Sequence, residues 1–211
     1  MASNVRKTCL LVLFFLTQQV LAQNVPPLID LAKQQRWEEL SLLLEDGLNP
    51  NIIYGDGTTA LHWASYHDNE NAADALLTAG ANVDSTTDLG VTPLWLAAQN
   101  GNLDLVNTLL SAGADPSIRL LSGETPVMTA AQAGNGAVVK VMLEAGADPN
   151  VSVTRDQTAL MWAADRGHSD VVAALLEHGV DIEARSLVRE QYVKSEKEQD
   201  SHPSYKYWNE Q

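Results

Sequence analysis

Residues 90–115 read GVTPLWLAAQNGNLDLVNTLLSAGAD. Thr92 is placed to cap a helix, and Pro93 fits the first helical position, where its missing N–H removes no intrahelical bond. A short apolar run follows (Leu94, Leu96, Ala97, Ala98), and Gly101 breaks it. A second apolar stripe at helical spacing comprises Leu103, Leu105, Val106, Leu109 and Leu110. Gly113 then ends that helix as a left-handed C-terminal cap does. Two short helices in a hairpin cannot bury both apolar faces alone, so the unit requires neighbours.

The pattern recurs. Thr59, Thr92, Thr125 and Thr158 lie 33 residues apart, as do Leu61, Leu94, Val127 and Leu160. Ala64, Ala97, Ala130 and Ala163 keep the same spacing, and so do Gly80, Gly113, Gly146 and Gly179. Four helix–turn–helix units in register at a fixed period define a solenoid. The full repeats run 55–87, 88–120, 121–153 and 154–186. Each is entered through a turn-prone stretch: Asp56-Gly57, Leu89-Gly90, Ser122-Gly123 or Asp156-Gln157. Three of these supply glycine where a tight reversal needs positive φ, and the fourth offers Asp156 as a poorer substitute.

This pattern resembles the ankyrin repeat family. The residues that carry the resemblance are the starts Thr59-Ala60-Leu61-His62, Thr92-Pro93-Leu94-Trp95, Thr125-Pro126-Val127-Met128 and Thr158-Ala159-Leu160-Met161. The endings Gly80-Ala81-Asn82, Gly113-Ala114-Asp115, Gly146-Ala147-Asp148 and Gly179-Val180-Asp181 complete it. The resemblance implies an all-α solenoid of stacked helix–turn–helix units with extended turn tips, about five repeats in all. Two departures matter. Histidine stands in its motif position only at His62, and Asp68 stands where the other repeats have Gly101, Gly134 and Gly167, which questions the tightness of that inter-helix turn.

Residues 23–54 form a degenerate capping repeat. Leu28, Leu31 and Ala32 begin one helix, Leu40, Leu43 and Leu44 form another, and Gly47 stands 33 residues before Gly80. Its outer positions are polar (Lys33, Gln34, Gln35, Arg36, Glu38, Glu39), as a water-facing end requires. Trp37 replaces the inter-helix turn pattern and is expected to pack in the cap. After Ser186 the period stops. The polar tail 187–211 has two readings: Leu187, Val188, Tyr192 and Val193 make a helix covering the last repeat, or the tail starts an insertion. In the second case the chain is the N-terminal array of a longer protein whose function lies beyond Gln211.

Residues 1–22 read as a cleavable signal peptide. Arg6 and Lys7 precede an apolar stretch, and Val20-Leu21-Ala22 fits the small-residue cleavage rule, with Gln23 the first mature residue. The apolar core is too short to span a membrane comfortably, so no stable anchor is expected after cleavage. The expected location is periplasmic or secreted, since the segment resembles a bacterial export signal. Cleavage removes Arg6, Lys7 and no acid, so the net charge of −14 becomes −16. It also removes Cys9, the single cysteine, and with it any disulfide, thiolate metal site or cysteine nucleophile. Such acidity argues against nucleic acid, which is held by clustered Lys and Arg.

No constellation nominates a reaction. His62 and His67 are five apart and do not share a helical face, while His168, His178 and His202 are scattered without Glu or Cys at ligand spacing. His62 is read as bonding within the junction between loop and helix. No phosphate loop, nucleophile elbow or calcium loop is present in the sequence. The expectation is a non-enzyme without metal or cofactor.

What remains is surface. In stacks that resemble ankyrin repeats, the turn tips and the ends of the first helices line a concave face that binds a protein. Carried over by position, the tip residues are Ile53, Asp56, Thr58, Asp88, Leu89, Val91, Leu121, Ser122, Glu124, Thr154, Arg155 and Gln157. The helix ends add Tyr66, His67, Gln99, Asn100, Gln132, Ala133, Asp165 and Arg166. Ile53, Leu89 and Leu121 stand out as apolar tips that either bind or pack on one another. Trp63 and Trp162 share a repeat position and are read as filling the stack, whereas Trp95, in the histidine position, is a candidate for the groove. Stability should be distributed over neighbours, so Leu110→Ala in the middle is expected to cost more than Leu44→Ala in the cap.

Overall fold

A computed structural model of the chain describes residues 28–185, apart from the side chain of Arg155. The expectations for residues 1–22 and 187–211 lie outside the described residues. Within them the chain makes five helical hairpins. The first joins α1 (Leu28–Lys33) to α2 (Trp37–Glu45), and the second α3 (Ala60–Tyr66) to α4 (Glu70–Thr78). Next come α5 (Pro93–Asn100) with α6 (Leu103–Ser111), then α7 (Pro126–Ala133) with α8 (Gly136–Glu144). A two-stranded ribbon, β1 (Ser152–Val153) antiparallel to β2 (Gln157–Thr158), precedes α9 (Ala159–Arg166) and α10 (Ser169–Glu177). First helices pack on first helices and second on second, so the stack has two layers. It is an all-α solenoid.

The repeated threonines start the first helices. Thr92 Oγ1 accepts from Trp95 N at 3.1 Å, Thr125 Oγ1 from Met128 N at 3.3 Å, and Thr158 Oγ1 from Met161 N at 3.4 Å. Each bond satisfies a first-turn N–H that has no partner within the helix. At the other end Gly101, Gly134 and Gly167 take left-handed conformations, with φ of 75°, 84° and 73°. Asp68 adopts the same conformation at φ 54°, and Asn69 N reaches Ala64 O at 2.9 Å, matching His168 N to Ala163 O at 2.9 Å. The doubted turn is therefore as tight as its glycine counterparts. Asp68 Oδ1 accepts from Asn100 Nδ2 at 3.1 Å, which ties the strained residue to the next repeat.

In the capping hairpin the turn position belongs to Gln35, at φ 58°, and not to Trp37. Trp37 is the first residue of α2, half-buried against the core, with its ring edge-on to His67 at 6.1 Å. The core is a continuous column of small and branched side chains. Ala64, Ala97, Ala130 and Ala163, at 0% exposure, let the first helices approach closely, while Leu76, Leu109, Met142 and Leu175, also at 0%, fill the layer beside them. Leu110 is only half-buried, whereas Leu44 is buried. The expected order of Leu110→Ala above Leu44→Ala therefore has no packing basis; the buried central position is Leu109.

Polar clasps link successive repeats behind the helices. Asn51 Oδ1 accepts from Asn82 N at 2.7 Å, Asp84 Oδ1 from Asp115 N at 2.9 Å, and Asn150 Oδ1 from Asp181 N at 2.6 Å. These occupy one repeat position; Ser117, in the same register, is too short to continue the series.

Candidate protein-binding groove

The turn tips are ribbons of one design. Tyr54 N donates to Thr58 O at 2.8 Å, Thr87 N to Val91 O at 3.0 Å, and Leu120 N to Glu124 O at 2.9 Å. The β1–β2 pair holds the same place in the last repeat, where Asp156 takes φ 55° at the position occupied by Gly57, Gly90 and Gly123. Adjacent tips also bond through their backbones: Asp88 N donates to Asp56 O at 2.9 Å, and Leu121 N to Leu89 O at 3.0 Å. A Cβ at Gly57 would lie 2.9 Å from Thr86 O, and one at Gly90 only 2.8 Å from Arg119 O. The tips thus stack through backbone, leaving their side chains outward. Ile53, Leu89 and Leu121 are 68%, 66% and 79% exposed, so packing on one another does not consume them.

His62 holds the second tip to the first full repeat. Its Nδ1 lies 3.2 Å from Thr59 N and 2.9 Å from Thr59 Oγ1, both donors, so Nδ1 is the acceptor. The ring proton is therefore on Nε2, which donates to Val91 O at 3.0 Å. Burial pushes the imidazole pKa down, against the opposing pull of the Val91 carbonyl and the Asp56 carboxylate. The neutral ring bonds across the junction between loop and helix, and across two repeats besides.

Beside this contact a cavity of about 450 Å³ opens between the turn tips and the first helices. It brings together Asp56, Thr58, Tyr66, Asp88, Leu89 and Val91 from the expected set, with His62, Trp63, Thr87 and Leu96. Leu96, named from the sequence only as part of an apolar helical run, and Thr87 lie outside the set expected at the tips and helix ends. Leu96 occupies the repeat position of Trp63 and Trp162, and Thr87 that of Tyr54 and Leu120, so following the period one column further points to both. Asp56 is exposed, and hydrogen bonding from Thr58, side chain first and backbone second, holds its carboxyl below the usual range. On the second-helix side a more polar groove of about 470 Å³ lies between α4 and α6, with Glu70, Asp74 and Asp104 along it.

The other expected residues are placed as follows. Asn100 is exposed but tied to the preceding repeat: its Nδ2 donates to Ser65 O at 3.2 Å and Tyr66 O at 3.1 Å, besides Asp68. Arg166, two repeats on in the same register as Asn100, does the same through Nη1, reaching Gln132 O at 3.2 Å. Gln99, Ala133, Ser122, Thr154 and Asp165 are exposed, while Glu124, Gln132 and Gln157 are half-buried. The backbone of Arg155 lies in the short 3-10 turn Thr154–Asp156. His67 is half-buried between aromatic rings, stacked on Trp63 at 5.9 Å and edge-on to Tyr66 at 5.0 Å. Trp95 is half-buried and does not line the cavity; its indole N–H is enclosed without a partner, as is His67 Nε2. Trp63 and Trp162 both pack against the core, and Trp63 also floors the cavity.

Among the described residues no cluster of three or more His, Cys, Asp or Glu is placed to hold a metal ion. Among them, too, no helix is long and apolar enough to cross a membrane.

A stack of helical hairpins with ribbon tips that bond to one another defines a repeat-protein scaffold. The family model for ankyrin repeats (three copies) matches residues 9–87, 28–120 and 94–186, and the chain belongs to the ankyrin repeat family. Repeats of this family generally mediate protein–protein interaction and are generally non-catalytic. No curated protein matches the chain.

Proposed function

We propose that the chain is a non-catalytic module that binds a protein partner outside the cytoplasm, as an exported bacterial protein, through its concave face and turn tips. The observation that carries this reading is the set of outward apolar tips, Leu89 at 66% and Leu121 at 79% exposure, beside a preformed cavity. Water-facing turns do not need such side chains, and contiguous exposed apolar surface marks interaction sites. Export is supported by residues 1–22, and the periplasm or the medium is the expected location. The double variant Leu89→Glu with Leu121→Glu should abolish capture of partner from the exported fraction while leaving helicity unchanged. Undiminished capture would rule out the tip surface. N-terminal sequencing of the exported chain should begin at Gln23; a start at Met1 would count against cleavage.

A further inference from the structure

We propose that the cavity between the first two full-repeat tips is a subsite for a lysine or arginine side chain presented by a basic segment of the protein partner. The proposal rests on the concave-face reading above and names the chemistry of what that face takes.

Charge is distributed very unevenly along the stack. Between Arg36 and Arg119 there is no lysine or arginine, while twelve aspartates and glutamates occur, a net −12 over that stretch. From Arg119 to Arg185 five basic residues offset nine acidic ones. Four of the twelve acids lie in the capping hairpin and eight in the first two full repeats, and the cavity lies between those two repeats. A cation approaching the molecule is drawn to this half by the summed field.

The cavity itself fits such a side chain. Its interior is apolar, with Trp63 and Leu96 contributed by the first helices, and Tyr66 and Leu89 flank it at 55% and 66% exposure. These surfaces suit the aliphatic stem of a long basic side chain, which buries its methylenes and keeps its charge near water. Asp56 and Asp88 supply the counter-charge from adjacent tips, linked by the Asp88 N to Asp56 O bond of 2.9 Å. Among the described residues neither has an ion-pair partner; the pair found there is Arg36 with Glu39. The nearest imidazole, His62, is neutral because both ring nitrogens are committed, so it brings no opposing charge. Trp63 already attracts one ammonium, Lys33 Nζ, at 5.6 Å from the ring centroid. A volume of about 450 Å³ lies within the roughly 300–1,000 Å³ usual for ligand sites and takes one side chain with the peptide that carries it.

The test uses the full chain and a fluorescein-labelled nonapeptide in which three lysines alternate with leucines, read by anisotropy at two salt concentrations. A matched peptide with glutamates for lysines is the reference. The lysine peptide should bind and the glutamate peptide should not. Asp56→Asn with Asp88→Asn should weaken binding at least fivefold. Glu70→Gln with Asp74→Asn and Asp104→Asn, which removes more charge from the second-helix groove, should change it less than twofold. Equal weakening by both sets would reduce the effect to general electrostatics and overturn the subsite. Unchanged binding in the Asp56, Asp88 variant would overturn it too. If that happens while Leu89→Glu with Leu121→Glu still abolishes partner capture, the concave-face reading survives and only the basic chemistry falls.

Discussion

His62 Nε2 donates to the Val91 carbonyl at 3.0 Å, so an imidazole buried in one repeat supports the tip of the next. Burial holds the ring neutral in the fold, with its pKa below the unfolded value of about 6.5. The unfolded chain thus binds more protons than the fold once pH drops under that value. Stability from this group is complete above pH ~6.5 and is lost as pH falls, by no more than about 1.4 kcal/mol per pH unit. Thermal melts of the wild type and His62→Leu from pH 7.5 to 5.0 check this. The variant should melt lower at pH 7.5, and the gap should narrow toward pH 5.0. A gap that widens on acidification would contradict a neutral buried ring.

Trp95 holds the equivalent position one repeat on, with its indole N–H enclosed and unpaired. The carbonyl that corresponds to Val91 O is Glu124 O, which closes the next tip through Leu120 N at 2.9 Å. Trp95→His places one ring nitrogen by Thr92 and the other toward Glu124. Removing an unsatisfied buried donor and adding a cross-repeat bond should raise stability by about 1 kcal/mol at pH 7.5. The same variant should be more acid-sensitive than wild type, because it adds a second buried imidazole. Urea unfolding at pH 7.5 and 5.5 gives both numbers.

Two glycines separate backbone strain from close approach. Gly80 has φ 89° with nothing near its missing Cβ, whereas Gly90 has φ 81° and a Cβ there would meet Arg119 O at 2.8 Å. Gly80→Ala should cost about 1–2 kcal/mol, the left-handed penalty alone. Gly90→Ala adds a collision with backbone that cannot move without separating two tips, and should cost about 3 kcal/mol or more. Denaturant midpoints of the two variants decide it, with equal losses refuting the tip-to-tip contact.

The hairpins were legible in the sequence because each rests on local chemistry repeated at a fixed period. Threonine caps, glycine turn ends and apolar stripes all recur every 33 residues, and the structure realises them. The turns at Gln35 and Asp68 were harder to read, since Gln35 gives no sign of a positive φ and Asp68 a weaker one than glycine. Of the candidate site, the exposed tips Leu89 and Leu121 could be read, because a tip position follows from the period. The bonding of Asn100 and Arg166 to the preceding repeat could not, because it depends on carbonyls at 34 or 35 residues' remove. The cavity is also a relation between repeats: Leu96 floors it from one repeat and Trp63 from the one before.

Adjacent leucines in α6 give the sharpest measure of the stack's own packing. Leu109 has 0% exposure and lies in the layer between the second helices, while Leu110 is half-buried. Leu109→Ala removes side-chain volume where neighbouring repeats enclose it on both sides, so the cavity term adds to the lost transfer energy. It should cost about 2–5 kcal/mol. Leu110→Ala lies at the edge of that layer, with water able to replace part of what is removed, and should cost less than half as much. Each repeat contacts only its neighbours, so the Leu109 variant should loosen α4, α6 and α8 together and spare α1. Hydrogen exchange resolved by segment reads both the size and the reach of the effect. Equal protection losses for the two variants would mean that the layer between the second helices is not where α6 is held.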